Sequence, residues 1–395
     1  MEQCILSNFR EMQRVVDWRG FDRLTPVSQA LTALVAYCVE LAPVEMGIEN
    51  AAERIVAAAI RAPIAVPCSP IALGDGWAVA AQDTLGASSY VPGFMSKPPR
   101  RVACGDPLPN HADAVLPLSG VNSLSCPIEI LSPAAPGENV RATGGDFAAG
   151  EVIVSTGARL RPDHIALFRL AGIDEVSLRI PRVAIVSCGD LGCADRIVAW
   201  VAALSTKEGA ECCLHATDMT VPDNLAEAMS RPRADFIIVI GTLGSGYPVV
   251  QTLASAGGVL VHGIAIRPGE TMGCGFLQTG SAQNSVPVVF APERIESVLA
   301  AWLLLARPCL RRLAGATGLD HGEVLPLTRK IVSNPGMSDL VLLRRSTEVG
   351  SDRMWQPLAT GDIPWVAIAH ADAWLLVAPE CEGYAAGQHV FGQFL

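Results

Sequence analysis

Charge is scarce in this 395-residue chain: 17% of residues are Asp, Glu, Lys or Arg, and only 5% are aromatic. The formal balance is −10 and no Lys/Arg block interrupts the sequence, so the electrostatic footprint of nucleic-acid binding is missing. Long hydrophobic runs are missing as well. The most apolar stretch, Val298–Ala306, is far short of the roughly 20 residues that cross a bilayer. The positive mean hydropathy of +0.35 therefore points to a large buried core and not to a membrane span. Met1–Arg10 places acidic and polar residues where a secretory leader has its apolar core, so a cytoplasmic location is expected. Twelve cysteines are scattered without a Cys-x-x-Cys pair or histidines at zinc-like spacing. Buried or half-buried thiols in a reducing compartment are the expectation.

Half of the residues are hydrophobic, with 36 glycines and 28 prolines, a composition for a folded chain with many short strands and turns. Three runs stand out: Val183–Asp190, Asp235–Gly246 and Val286–Pro292. Each is continuously apolar and rich in β-branched residues, and each breaks into small or polar ones. Such runs between helices predict parallel strands buried on both faces. Ligands of such sheets bind at the loops leaving the carboxyl ends of the strands.

Along the chain, Thr25-Pro26 predicts a helix start, with an apolar face through Ala30, Leu34 and Cys38. A second helix is expected over Ile48–Arg61. The boundaries expected are a helical and linker domain from 1–61 and 146–180, an inserted small β domain from 62–145, an α/β domain from 181–320 and a C-terminal β domain from 321–395. Arg161–Ala171 reads as a helix. The helix carrying Ile295, Val298, Trp302 and Leu305 is expected to kink or end at Pro308, before Arg311. Trp365–Ala369, Ala373–Val377 and Gln388–Phe391 read as strands.

Gly241, Gly244 and Gly246 follow a strand and allow close backbone approach to a phosphate, although a tight turn alone accounts for them. No Gly-Lys-Ser/Thr follows, and the spacing departs from the dinucleotide fingerprint, so neither a P-loop nor hydride chemistry gains support. Asp75 and Asp146 sit in glycine-flanked turns, where an Asx-turn is the ordinary reading. Asp190, next to Gly189, differs because it lies on a central strand's exit loop. Arg267-Pro268-Gly269 offers a positive charge near the strand ends, and His262 reads as a core or edge residue.

The ordered motifs resemble the molybdopterin molybdotransferase family, the MoeA and gephyrin E-domain type, from about residue 24 to the end. They are Asp75-Gly-Trp-Ala-Val79, Arg101–Pro109 with Ala112–Val115, Gly137–Arg141 with Gly144-Gly-Asp146, and Gly157–Leu160. Further on come Pro181–Ile185 with Cys188-Gly-Asp190, His262–Gly269 and Arg307–Gly315. The resemblance implies a multidomain α/β plus β fold: a central three-layer molybdopterin-binding domain with a parallel-rich sheet, an inserted β domain and a C-terminal β-barrel-like domain. It implies binding of molybdopterin or its adenylylated form, cleavage with a divalent cation such as magnesium, and insertion of molybdate. It also implies an elongated homodimer with the site shared between subunits. On that basis Asp75, Asp146 and Asp190 are the candidate catalytic carboxylates, Asp190 also the candidate metal ligand. Gly189, Gly241, Gly244, Gly246, Arg267, Pro268, Gly269 and Arg294 are the candidate ligand contacts.

The departures fall on the chemistry. The family's Thr-Gly-Asp-Glu is Cys188-Gly189-Asp190-Leu191, and Tyr247–Val250 stands where an Asp follows the glycine loop. Its Lys-Pro-Gly-Lys-Pro is Arg267-Pro268-Gly269-Glu270-Thr271, and its Pro-Gly-Asn-Pro is Pro292-Glu293-Arg294-Ile295. Glu293 adds negative charge to a helix N-terminus, favouring the helix but opposing an anion there. Three readings stay open: a degenerate binder serving delivery, storage or maturation of a client molybdoenzyme; an active transferase whose cation site is rebuilt by Asp218, Asp223 or Glu270; and an interaction dimer without a cofactor.

Overall fold

The computed structural model describes residues 23–188, 191–216, 227, 233–241, 248–278, 285–318, 321–346 and 353–395. Its centre is a six-stranded sheet in the order Glu211–Ala216, Arg182–Cys188, Phe236–Gly241, Ser285–Ala291, Gly273–Gln278, Gly257–His262. The first four strands are parallel, with Val183 opposite both Cys212 and Phe236, and Ile238 opposite Val289. The last two run antiparallel and close the sheet as a meander.

The period of two divides the apolar runs between two cores. Val183, Ile185, Ile238, Ile240 and Val289 pack against helices Val27–Val35 and Leu191–Lys207 and the long helix that starts at Ile295. Ala184, Val186, Ile237, Val239 and Phe290 pack against Val249, Val250 and Leu253 of helix Pro248–Ala256. Helices therefore cover both faces, and the continuously apolar runs follow from that burial.

Short antiparallel sheets fill the chain ahead of it. Gly76–Val79 lies between Arg100–Val102 and Ala114–Pro117, and Ile128–Ile130 lies between Gly93–Met95 and Val121–Asn122. The helix expected over Ile48–Arg61 does not form. After a single 3₁₀ turn at Ile48–Asn50, Ile55 and Val56 pair with Arg179 and Leu178 of strand Glu175–Arg179. Pairing that buries Ile55 and Val56 overrides the helix propensity of the alanines around them. Thr25 caps nothing either: it bridges Ile264, and Pro26 precedes the helix Val27–Val35. Helix Pro162–Ala171 forms as expected and ends on Gly172 in the left-handed conformation.

The last sheet runs Ile266–Arg267, Ser338–Arg345, Ala373–Val377, His389–Phe394, Gly322–Pro326, with Trp355–Thr360 also paired to Ser338–Arg345. Trp365–His370 is a helix and not a strand. Ser338–Arg345 already has ladder partners on both sides, which leaves no edge for it. Pro308 likewise neither ends nor breaks its helix. A π-helical turn over Trp302–Ala306 absorbs the missing N–H and ring, and the helix continues through Arg311 and Arg312 to Gly315. No helix among the described residues is long and apolar enough to cross a membrane.

Candidate functional site

Strand Ile266–Arg267 leaves the α/β sequence and pairs in parallel with the C-terminal sheet, Arg267 opposite Asp339. This stitch brings the Arg267-Pro268-Gly269-Glu270 loop and the start of helix Ile295–Ala301 against the turn Thr360–Asp362. Between them lies a cleft of about 520 Å³, lined also by Ser297, Val332 and Asn334. The Arg267–Pro268 peptide is cis, and Gly269 has φ +114°, a conformation that excludes a side chain with Cβ.

Two cations and three carboxylates line this cleft: Arg267 and Arg294 against Glu270, Asp339 and Asp362. Arg267 Nη2 donates to Asp339 Oδ2 at 2.8 Å. Arg294 Nε donates to Glu296 Oε1 at 2.6 Å while the Arg294 side chain remains 69% exposed. Among the described residues neither Glu270 nor Asp362 forms an ion pair. Both arginines thus already have carboxylate partners, and an incoming anion meets two further negative charges. Glu293, just ahead of helix Ile295–Ala301, has its Oε2 buried without a hydrogen-bond partner.

The other expected residues do not all converge here. Asp75 is exposed, and its Oδ1 accepts from the Cys104 backbone N–H at 2.9 Å, a loop-fastening role. Asp146 is exposed and paired with Arg141. Neither lines the cleft within this chain. Gly241 ends its strand where a Cβ would fall 1.8 Å from the Cys188 carbonyl oxygen. Strand packing therefore requires glycine there irrespective of any ligand. Gly189, Asp190, Gly244 and Gly246 lie outside the described residues, as do Asp218, Asp223 and Tyr247. Among the described residues no group of three His, Cys, Asp or Glu is placed to hold a metal ion.

Cys188, at the end of a central strand, is a poor nucleophile: burial pushes its thiol up to about 12. His262 lies in the edge strand with its ring 5.8 Å from that of Phe290. Burial lowers its pKa, so it is neutral at pH 7. The four cleft residues Arg267, Pro268, Gly269 and Arg294 were legible in sequence; Asp339, Asn334, Gly361 and Asp362 were not. One signal was available: Asp339 opens the apolar run Leu340–Leu343, and a carboxylate entering a buried strand usually has a dedicated partner.

A parallel-rich α/β sheet covered on both faces, small β sheets ahead of it and a C-terminal sheet stitched onto it define a multidomain α/β-plus-β protein with its cleft at the stitch. The family model for the MoeA N-terminal region (domain I and II) matches residues 25–172. A Methanocaldococcus jannaschii protein assigned to molybdopterin biosynthesis is 26% identical over 379 residues, 88% of this chain and 90% of that protein. Molybdopterin molybdenumtransferase 2 of Mycobacterium tuberculosis is 24% identical over 86% of this chain and 91% of its own length. A crystal structure of the molybdopterin biosynthesis MoeA protein from Pyrococcus horikoshii has the same fold, with a TM-score of 0.70 and 21% identity over 94% of this chain and 100% of that one. The chain is thus similar over residues 25–172 to the MoeA N-terminal region, and over nearly its whole length to proteins named for molybdopterin biosynthesis and molybdenum transfer.

Proposed function

We propose that this protein acts in molybdenum cofactor biosynthesis by binding molybdopterin, or its adenylylated form, at the cleft between the α/β and C-terminal sheets. The observation that carries the reading is the convergence of Arg267-Pro268-Gly269 with Arg294 around one 520 Å³ cavity, a volume in the ordinary range for a small-molecule site. Arg267 supplies a charge-assisted contact to the ligand's phosphate. Relatives over nearly the whole chain carry names for the same pathway. Asp75 and Asp146, which stand away from the cleft, belong in this reading to the half of the site that a partner subunit contributes in a homodimer.

The carboxylate losses at Leu191 and Tyr247–Val250 and the negative charge at Glu270 favour binding without fast molybdate insertion. Such a binder hands the pterin to a client molybdoenzyme or to a partner in cofactor synthesis. One observation favours an active, magnesium-dependent transferase instead: Glu270 and Asp362 share the cleft without ion-pair partners among the described residues and offer oxygen ligands for a hard cation. The two readings separate on turnover. AMP release from adenylylated molybdopterin, with excess magnesium and molybdate, should run far below that of an active family member. A rate within tenfold of that control establishes the transferase. Purified protein that never carries a fluorescent pterin, and binds none when offered it, leaves only a ligand-free interaction dimer.

A further inference from the structure

We propose that Asp339 is a positioning residue of this cleft, holding the Arg267 guanidinium in place for an anion from the C-terminal sheet. The inference rests on the reading of Arg267 as the phosphate contact. As opposite members of a parallel ladder, Arg267 and Asp339 project from the same face of the sheet. Asp339 is 1% exposed. Its Oδ2 accepts from Arg267 Nη2 at 2.8 Å and from the buried Ser333 hydroxyl at 2.6 Å, which fixes the carboxylate. Gly361 closes the other side: with φ +69°, its Cβ would lie 3.0 Å from Asp339 Oδ1 and 3.5 Å from Arg267 Cβ.

The pair is a poor device for stability. Asp339 Oδ1 and Arg267 Nε are both buried without a hydrogen-bond partner, so desolvation is only partly repaid by one charged contact. What the arrangement does provide is direction. An arginine free to sample its rotamers loses that entropy on binding a ligand, whereas one already held has lost it. Arg267 is 29% exposed and lines the cleft while its inner edge is clamped.

The test is a mutant cycle on the full chain, titrated with molybdopterin in a calorimeter. Arg267→Ala should weaken binding roughly 10- to 100-fold, and Asp339→Ala about 5- to 10-fold. The double variant should bind no more weakly than Arg267→Ala, because Asp339 acts only through Arg267. Asp339→Asn keeps an acceptor for Arg267 and Ser333 and should stay within about threefold of wild type. Multiplying effects in the double variant, or wild-type affinity in Asp339→Ala, overturn the inference. Should Asp339→Ala not fold, Gly361→Ala, which disturbs the pair without removing a charge, takes its place; wild-type affinity there overturns it equally. If Arg267→Ala binds like wild type, or wild type binds nothing, the functional reading fails on its own. Thermal midpoints of the same proteins then decide the pairing: non-additive shifts keep it and additive shifts remove it.

Discussion

Replacing Glu208 by Gln should be among the most damaging single changes outside the cleft. Glu208 is 6% exposed, at the end of helix Leu191–Lys207, with three arginines around it. Its Oε1 accepts from Arg307 Nε at 2.7 Å and Arg311 Nη2 at 3.2 Å. Its Oε2 accepts from Arg159 Nη2 at 2.5 Å and Arg311 Nε at 3.0 Å. Arg307 also reaches the Phe394 carbonyl at 3.4 Å. One carboxylate thereby joins the loop before helix Pro162–Ala171, an α/β helix, the long helix and the last strand. Glutamine preserves the volume but takes the Glu208 charge away from three side chains of 22%, 13% and 14% exposure. Breaking such a buried pair costs about 3–5 kcal/mol. At roughly 2–4 °C per kcal/mol for units of this size, the first melting transition should fall by about 10 °C.

The pH dependence fixes the sign. Burial raises the Glu208 pKa, the arginines lower it, and the net shift is downward. A depressed carboxylate stabilises the fold above its unfolded pKa, and that contribution is lost as pH falls through the folded value. The gap between wild type and Glu208→Gln should hold from pH 5 to 8 and narrow progressively as pH falls below about 4. Scanning calorimetry across that range checks it. A midpoint change under 2 °C at pH 7, or a gap undiminished at pH 3, refutes the reasoning.

Glu270→Gln with Asp362→Asn should tighten molybdopterin binding by roughly tenfold at low salt and less at 0.5 M, because two unpaired negative charges leave the cleft; calorimetric affinity at the two salt concentrations decides it. In the native protein at pH 8, iodoacetamide should label the exposed Cys68, Cys104 and Cys126 while Cys188 and Cys274, both pushed up to about 12 by burial, stay unmodified by mass spectrometry. Light scattering at micromolar concentration should give about twice the 41.5 kDa chain mass, and a stable monomer would remove the shared site.

The α/β core was legible because a strand buried on both faces must be apolar, as Val183–Val186 and Phe236–Ile240 are. Local propensity misled wherever long-range pairing decides the outcome. Ile55 and Val56 sit among alanines yet pair with Glu175–Arg179, and Trp365–Ala369 is a short apolar run that reads like a strand but forms a helix. The helix does not end at Pro308 for a different reason, since the π turn ahead of it is not written in the residue types it spans. Of the cleft, the half on the Arg267 loop could be read, because its motif is contiguous. The Asp339 half depends on a register between residues 72 positions apart, and no local pattern encodes that. Asp75 and Asp146, read from contiguous motifs, make their contacts within this chain to the Cys104 backbone N–H and to Arg141.

The central claim is that the cleft around Arg267 binds an anionic pterin. Its most direct test is calorimetric titration of molybdopterin into wild-type protein and Arg267→Ala, with circular dichroism to confirm that both are folded. The predicted result is saturable binding to wild type and a loss of about 1.5–3 kcal/mol, or roughly 10- to 100-fold in Kd, in the variant. Equal affinity for the two proteins, or no binding by wild type, would contradict it.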